Sequence, residues 1–461
     1  VRVLVALIVV LASGCWSRPP ENVLVIAVGG LRPDHLGAYG ATRNASPCLD
    51  ALARQGFVFE SAFAPSPVNG ISLASLVTSQ YPKVNGYAIV GDSLLSSAPH
   101  LAEELSRAGR ETVAFLGDCL LHPSSGLGRG FDLYVNSSGR LPWEDIGEFS
   151  VTPEIISATR EAEKASTAAR ITGDVLSWLE TRDGSRPFFA LVNHTDPAAD
   201  FVAPASIRGA FAASYRGPMT GEGIRQDGRI QAAMDPVDIE GLRLLYDAEI
   251  RHVDGHLSKI FEALESRGLL AHTLVVVTGT FGQPFLEHGS KIAGAVLHDE
   301  EIRIPLIISS GPGWPGPSER AVPPGRTQGL VTLLDVAPTI LDVLGLPPMK
   351  GAMGLSLGPQ LKGAQDLPQR SVYLEAPLGQ RTSLIGLRDA GRLVIRFPTQ
   401  GWEIYDLVAD PDQLRPRVLK PRDANHVDVK GLDEATRLLD DWAGGRRDDS
   451  MAGLQRLGLL P

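Results

Sequence analysis

Apolar residues along this chain fall into short runs rather than long amphipathic stretches. Runs at 23–28, 112–116, 188–192, 273–278 and 305–308 are each bounded by turn residues, and several are rich in Val, Ile and Thr. Such runs predict strands covered on both faces. Between them, helical spacing appears at 46–55, 100–108, 168–180, 238–267 and 330–344. Inside the last of these, Asp335-Val336-Ala337-Pro338 marks a kink or a fresh helix start, because proline lacks the N–H that continues a helix. Strand and helix alternate over most of the chain, which predicts an α/β, doubly wound, mostly parallel sheet.

Two stretches break the rhythm. Residues 203–233 carry Gly, Arg, Ser and Met with little periodicity and read as a surface excursion. From about Ser371 the pattern shortens: "SVYLEA", "SLIGLRDAGRLVIRF" and "GWEIYDL" predict antiparallel strands, with a helix near 432–443. The expected organisation is residues 1–15 as a signal peptide, 16–21 as a tether, 22–370 as the main α/β domain and 371–461 as a small α+β subdomain.

The 461 residues suffice for a large core. The net charge of −10 shows no basic stripe, which argues against nucleic acid as a partner. The opening "VRVLVALIVVLASGC" is too short an apolar run to span a membrane comfortably. Its end, Ala12-Ser13-Gly14-Cys15, resembles a bacterial lipobox, although Leu lies four residues before the Cys rather than three. Export to the bacterial cell envelope is expected, with a lipid on Cys15 as membrane anchor; an ordinary cleaved signal peptide is the alternative. Cys48 and Cys119 are then the remaining thiols, and nothing in their spacing suggests a bridge or a zinc site.

The stretch "NVLVIAVGGLRPDHLGAYGATRNASPCLDALARQGF" resembles the opening of the sulfatases, within the alkaline-phosphatase-like superfamily. The likeness continues in "LASLVTSQYPKVNGY", "PFFALVNHTDP", "LYDAEIRHVDGHLSKIFEALESRGLLAHTLVVVTGTFGQPFLEHG" and "LVTLLDVAPTILDVLGL". Working members hold a divalent cation, usually Ca²⁺, with carboxylates at strand ends. They attack with a formylglycine or a Thr, and they use His and Lys to bind the transferred group.

On that resemblance, the chemical positions depart. The acidic metal position falls on Gly29 and its neighbour on Gly30; the second metal pair falls on Thr280 and Phe281. The nucleophile position falls on Asn69, and of the pattern around it only Ser72 survives, with Leu73 in place of Arg. A family His falls on Asn193, the last position of that element on Ala198, and a further His or Lys position on Ala293. His194 and Lys291 lie close by and are the residual candidates for anion binding. No metal or other cofactor is expected, because a Ca²⁺ at these positions would sit among neutral oxygens.

Other candidates read as structural. Asp34 and His35 suit a turn, Ser72 suits a helix-start cap better than a nucleophile, and Glu287 and His288 match a family tripeptide away from the reacting group. Asp247, Glu249 and Asp254 lie on a scaffold helix, and Gly29-Gly30 lacks dinucleotide-loop spacing. The expectation is an inactive binding or scaffolding module for a glycan, a sulfated or phosphorylated ligand, or a protein. The rival is a sulfuric- or phosphoric-ester hydrolase with a non-standard site.

Overall fold

A computed structural model describes residues 21–118, 120–138, 166–198, 200–310, 322–364, 366–379, 382–423 and 426–461. Residues 1–20, on which the expected signal peptide and tether fall, and Cys119 lie outside the described residues; Cys48 is a free thiol. Among the described residues no helix is long and apolar enough to cross a membrane.

The main sheet has eight strands: β1 (Asn22–Val28), β2 (Phe57–Phe63), β3 (Glu111–Leu116), β4 (Leu133–Asn136), β5 (Phe188–His194), β6 (Thr273–Gly279), β7 (Arg303–Ser309) and β8 (Gly325–Thr332). Their order is β4-β3-β5-β1-β6-β7-β2-β8. All neighbours run parallel except β7, which is antiparallel to both β6 and β2. Strands β1, β5 and β6 are buried along their whole length, which explains why they read as continuous apolar runs rather than alternating ones.

Alternate residues feed two cores. Val23, Val25, Ala27, Phe189 and Leu191 pack on one face of the sheet, together with helix α2 (Asn69–Thr78). Leu24, Ile26, Val28, Ala190 and Val192 pack on the other, beneath the long Pro236–Ser266 helix and the Ala168–Thr181 helix. Helix α1 (Pro47–Gln55) closes that second face and is held at its start by Asp254, whose carboxylate accepts from Cys48 N and Leu49 N at 3.0 and 2.9 Å.

The C-terminal sheet runs β13-β12-β11-β10-β9, all antiparallel, from β9 (Val372–Pro377), β10 (Ser383–Arg388), β11 (Arg392–Phe397), β12 (Gly401–Asp406) and β13 (Arg417–Leu419). It shares an apolar cluster with Phe63, Tyr81, Ile302 and Leu334 of the main domain, so the two sheets form one packed body.

Three expectations are corrected. The predicted helix over 330–344 begins later: residues through Thr332 finish β8, a 3-10 turn follows, and the helix runs Val336–Val343. Asp335 Oδ2 accepts from Thr332 N there at 2.8 Å, which gives the chain a hydrogen-bonded reason to leave the strand before Pro338. The 203–233 excursion is not wholly superficial, because Met219, Ile224 and Ile230 are buried in the second core. Ser72 is no cap: it lies in the first turn of α2, and its hydroxyl donates to Ser66 O at 2.6 Å.

Candidate functional site

The carboxyl ends of β1, β3, β5 and β6 lie side by side, where an open α/β sheet places its ligands. Three backbone bonds extend the ladders past the strands. Gly29 N donates to His194 O at 2.8 Å, Gly117 N to Asn193 O at 2.9 Å, and Thr280 N to Val28 O at 3.0 Å. The loop starts are therefore held in register, and their side chains meet the first turn of α2.

At that meeting point the side chains close a ring. Asn69 Nδ2 donates to Asp118 Oδ2 at 2.9 Å and to Asn193 Oδ1 at 3.1 Å. Asn69 Oδ1 accepts from Thr280 Oγ1 at 2.8 Å and from Asn193 Nδ2 at 3.2 Å. Asn193 Nδ2 also reaches Ala27 O at 3.0 Å. Asn69 thus uses both N–H bonds and both oxygen lone pairs, the full capacity of an amide. It is 7% exposed, and Asn193 and Thr280 are enclosed completely.

Phe281 completes the closure. A methyl carbon built on Gly29 would lie 2.9 Å from Phe281 Cε1 and 3.5 Å from Thr280 Oγ1. The ring therefore fills the volume that a side chain at position 29 would need. Gly30 is constrained differently. Its φ is +75°, and a methyl there would meet the backbone of Pro197 and Ala198 at 2.9 Å. Glycine is required at 30 by conformation and close approach, and at 29 by the neighbouring ring alone.

Gly29, Asn69, Asn193, Thr280 and Phe281 come together as the sequence resemblance implies. His194 and Lys291 do not join them. His194 follows Asn193 on β5, so its ring points to the opposite face of the sheet. There it is fully buried, with Nδ1 3.9 Å from Asp196 Oδ2 and no hydrogen-bond partner on either ring nitrogen. Lys291 donates its ammonium to Asp227 O at 2.7 Å. Leu73 is packed in the first core, Ala198 lies against Gly30, and Ala293 is half-buried in the loop after β6.

Asp118 was missed in the sequence. It stands two residues beyond β3, and a carboxylate just past the carboxyl end of a parallel strand is the signal that could have found it. Burial pushes its pKa up, opposed by hydrogen bonds from Asn69 and Leu120 N. It is the single carboxylate in the ring. Ca²⁺ takes six to eight oxygens, with carboxylates supplying the compensating charge. One carboxylate already engaged by Asn69, two satisfied amides and a phenyl ring do not fit that cation.

On the opposite face, Asp196 carries a different task. Its Oδ1 accepts from Ser166 Oγ, Thr167 N and Ala168 N at 2.5, 2.7 and 3.1 Å, and its Oδ2 from Thr167 Oγ1 at 2.8 Å. Burial would raise its pKa, but His194 and these donors outweigh burial and hold it well below the usual carboxylate range. Asp34 is exposed and ion-paired, whereas His35 is buried and hydrogen-bonded. Arg32 binds Asp34 at 2.8 Å and Glu287 at 2.7 Å, and His35 pairs with Asp247. Against burial, the Arg32 guanidinium brings the Asp34 carboxyl down to about 2.

A family model described as Sulfatase matches residues 21–346. The N-acetylglucosamine-6-O-sulfatase of Bacteroides thetaiotaomicron is 22% identical, with 86% of this chain and 82% of that one covered. The goat N-acetylglucosamine-6-sulfatase is 24% identical over 78% of this chain, which spans 66% of the goat protein's length. Among solved structures, the phosphonate monoester hydrolase of Agrobacterium radiobacter superposes with a TM-score of 0.69 at 22% identity, covering 92% of this chain and 96% of that one. A structure bound to D-glucosamine-2-N,6-O-disulfate gives a TM-score of 0.70 at 18% identity, covering 94% and 98%. The eight-stranded sheet with its appended antiparallel sheet is thus the fold shared with these solved structures. By the family model, the chain belongs to the sulfatase family.

Proposed function

We propose that this sulfatase-family chain is catalytically silent and acts as a binding or scaffolding module in the bacterial cell envelope, anchored through a lipid on Cys15. The observation that carries the reading is the closed amide ring. The side chain at the nucleophile position, Asn69, has every donor and acceptor engaged by Asp118, Asn193 and Thr280. An amide so satisfied offers no lone pair for attack, and a transferring sulfuryl or phosphoryl group would find no preorganised positive charge there. Phe281 over Gly29 supports the same reading, since it occupies the space a metal-binding carboxylate would need. The ligand class we assign is a sulfated or phosphorylated glycan, on the names of the relatives; a protein partner is the other class to test.

The test pairs turnover with calorimetry on the purified chain lacking residues 1–20. Aryl sulfate, aryl phosphate and phenylphosphonate should be hydrolysed no faster than in buffer, and Ca²⁺ should give no saturable heat. Stoichiometric Ca²⁺ together with turnover that Asn69→Ala abolishes would overturn the proposal. A second reading, ester hydrolysis at a non-standard site, is favoured by one observation. A polar cavity of about 400 Å³ is lined by Arg32, His35, Arg43, Arg243, Asp34 and Asp247. Turnover that survives Asn69→Ala and is lost on His35→Ala would select it.

A further inference from the structure

We propose that His288 is a pH-sensitive latch, which fastens the antiparallel subdomain to the loop after β6 while its ring is an imidazolium and releases it as pH rises. The ring is clamped between two acceptors from different parts of the fold. Glu300 stands in the short helix Asp299–Ile302 ahead of β7, and Gln413 stands in the connection between β12 and β13. The latch is independent of the reading of the Asn69 ring.

The protonation follows from the acceptors. His288 Nε2 lies 2.8 Å from Gln413 O, and a carbonyl can only accept, so Nε2 carries a proton. Nδ1 lies 2.7 Å from Glu300 Oε1, a contact that needs a second proton between the two atoms. The pair therefore binds one proton more than a neutral histidine beside a carboxylate. Removing that proton sets the Nδ1 lone pair against a carboxylate whose side chain is only 5% exposed. Burial works against the charged ring, but Glu300, Gln413 O and Glu287 outweigh it and raise the His288 pKa above the ordinary histidine value.

His298 supplies the contrast. Its ring stacks on His288 with centroids 3.7 Å apart and planes within 5°. Tyr405 of β12 donates its hydroxyl to Glu403 Oε2 at 2.7 Å, so the tyrosine oxygen accepts from His298 Nε2–H at 3.0 Å. A second proton, on His298 Nδ1, would have no hydrogen-bond partner and would lie beside the His288 cation. Burial, together with the charge of His288, pushes the His298 pKa down to about 3. The stack carries one charge, not two.

Gln413 is the point of attachment. Its φ is +58°, a conformation uncommon for any residue but glycine, so contacts must hold it. Its side-chain amide donates to Asp299 Oδ1 at 2.5 Å and accepts from Asp299 N at 3.2 Å, and Arg388 of β10 holds Asp299 in turn at 2.9 Å. His288 adds the one contact whose charge can change near neutral pH. Linkage sets the sign. The folded pKa is raised, so the latch contributes fully below about 6.5, the unfolded histidine value, and fades as pH rises through the folded one. Glu287, the preceding residue, binds Arg32 and Arg243, which line the polar cavity of about 400 Å³. Unfastening His288 therefore loosens a segment that braces that cavity.

The experiment pairs hydrogen exchange by mass spectrometry with a histidine NMR titration of the full untagged chain. Exchange in peptides covering residues 283–302 and 407–416, corrected for intrinsic rate, should rise at least ~3-fold between about pH 6 and about pH 9. Peptides from β1 and β5 should show no such rise. The His288 ring should titrate above about 6.5, while the His298 ring stays neutral throughout. Glu300→Gln should bring the His288 ring to about 6.5 or below and abolish the pH step in exchange. Equal exchange at both pH values in wild type overturns the proposal, as does a rise shared by β1 and β5. So does a His288 ring that titrates below about 6.5, or a full pH step that persists in Glu300→Gln. The wild-type measurements decide the matter even where the variant fails to fold.

Discussion

Gly29→Ala should be expensive, and removing Phe281 should make it cheap. A methyl at position 29 lies 2.9 Å from Phe281 Cε1 and 3.4 Å from Cζ. Carbon pairs prefer about 3.5–4.0 Å, so the ring must retreat by about 0.6 Å or more from a packed position. Overpacking of that kind costs about 1–3 kcal/mol. Phe281 is 7% exposed, and its truncation to Ala leaves a cavity worth about 3–5 kcal/mol. In the double variant the methyl points into the vacated volume, so the two losses should not add. A coupling of about 1–3 kcal/mol is expected from the four urea unfolding curves of the cycle. Additivity within about 0.5 kcal/mol would refute the claim that this ring fills the side-chain volume of position 29. Gly30→Ala is the control. Its φ of +75° and the Ala198 backbone remain whatever happens to Phe281, so its penalty should persist in the Phe281→Ala background.

The ring and the opposite face give further tests. Asn69→Asp replaces the donor to Asp118 by a second carboxylate, at a site where the two groups are 2.9 Å apart. It should lose about 2–3 kcal/mol at pH 7 by urea unfolding, and less at pH 5, where the pair can share a proton. An equal loss at both pH values would contradict the geometry. Asp196→Asn should cost about 2 kcal/mol at neutral pH, because charge-assisted bonds to the start of the Ala168–Thr181 helix weaken. Asp196 has a folded pKa depressed below its unfolded value. Its contribution is complete above the unfolded carboxylate value of about 3.9 and fades as pH falls toward the folded one. The gap between wild type and Asp196→Asn should therefore close in acid, and a gap that widens below about pH 4 would reverse the assignment.

Strands buried on both faces were readable because no polar alternation interrupts them, as in β1, β5 and β6. Strand β2 was not legible. It follows α1 after a single glycine, and Glu60 and Ser61 break its apolar run at a point where the pairing register also shifts. The placement of Gly29, Asn69, Asn193, Thr280 and Phe281 followed from the family resemblance: Gly29, Thr280 and Phe281 come just after strand ends, Asn69 begins a helix and Asn193 is the last residue but one of β5. His194 was misjudged for a local reason: spacing alone does not weigh the side on which a strand residue stands. Asp118 escaped because no motif marks it; only the topology, with β3 beside β5, brings it to Asn69.

The alternation at the end of β5 limits which changes of sequence can alter the Asn69 ring. Asn193 and His194 occupy opposite sides of one sheet, so the imidazole is a few ångströms and one layer away from the ring it would need to enter. No rotamer change carries it across. A one-residue slip of the strand would, but it would also turn Val192 and Leu191 inside out and dismantle both cores. A histidine can reach that position only by direct replacement of Asn193, and the sheet acts as a ratchet against the shorter-looking route.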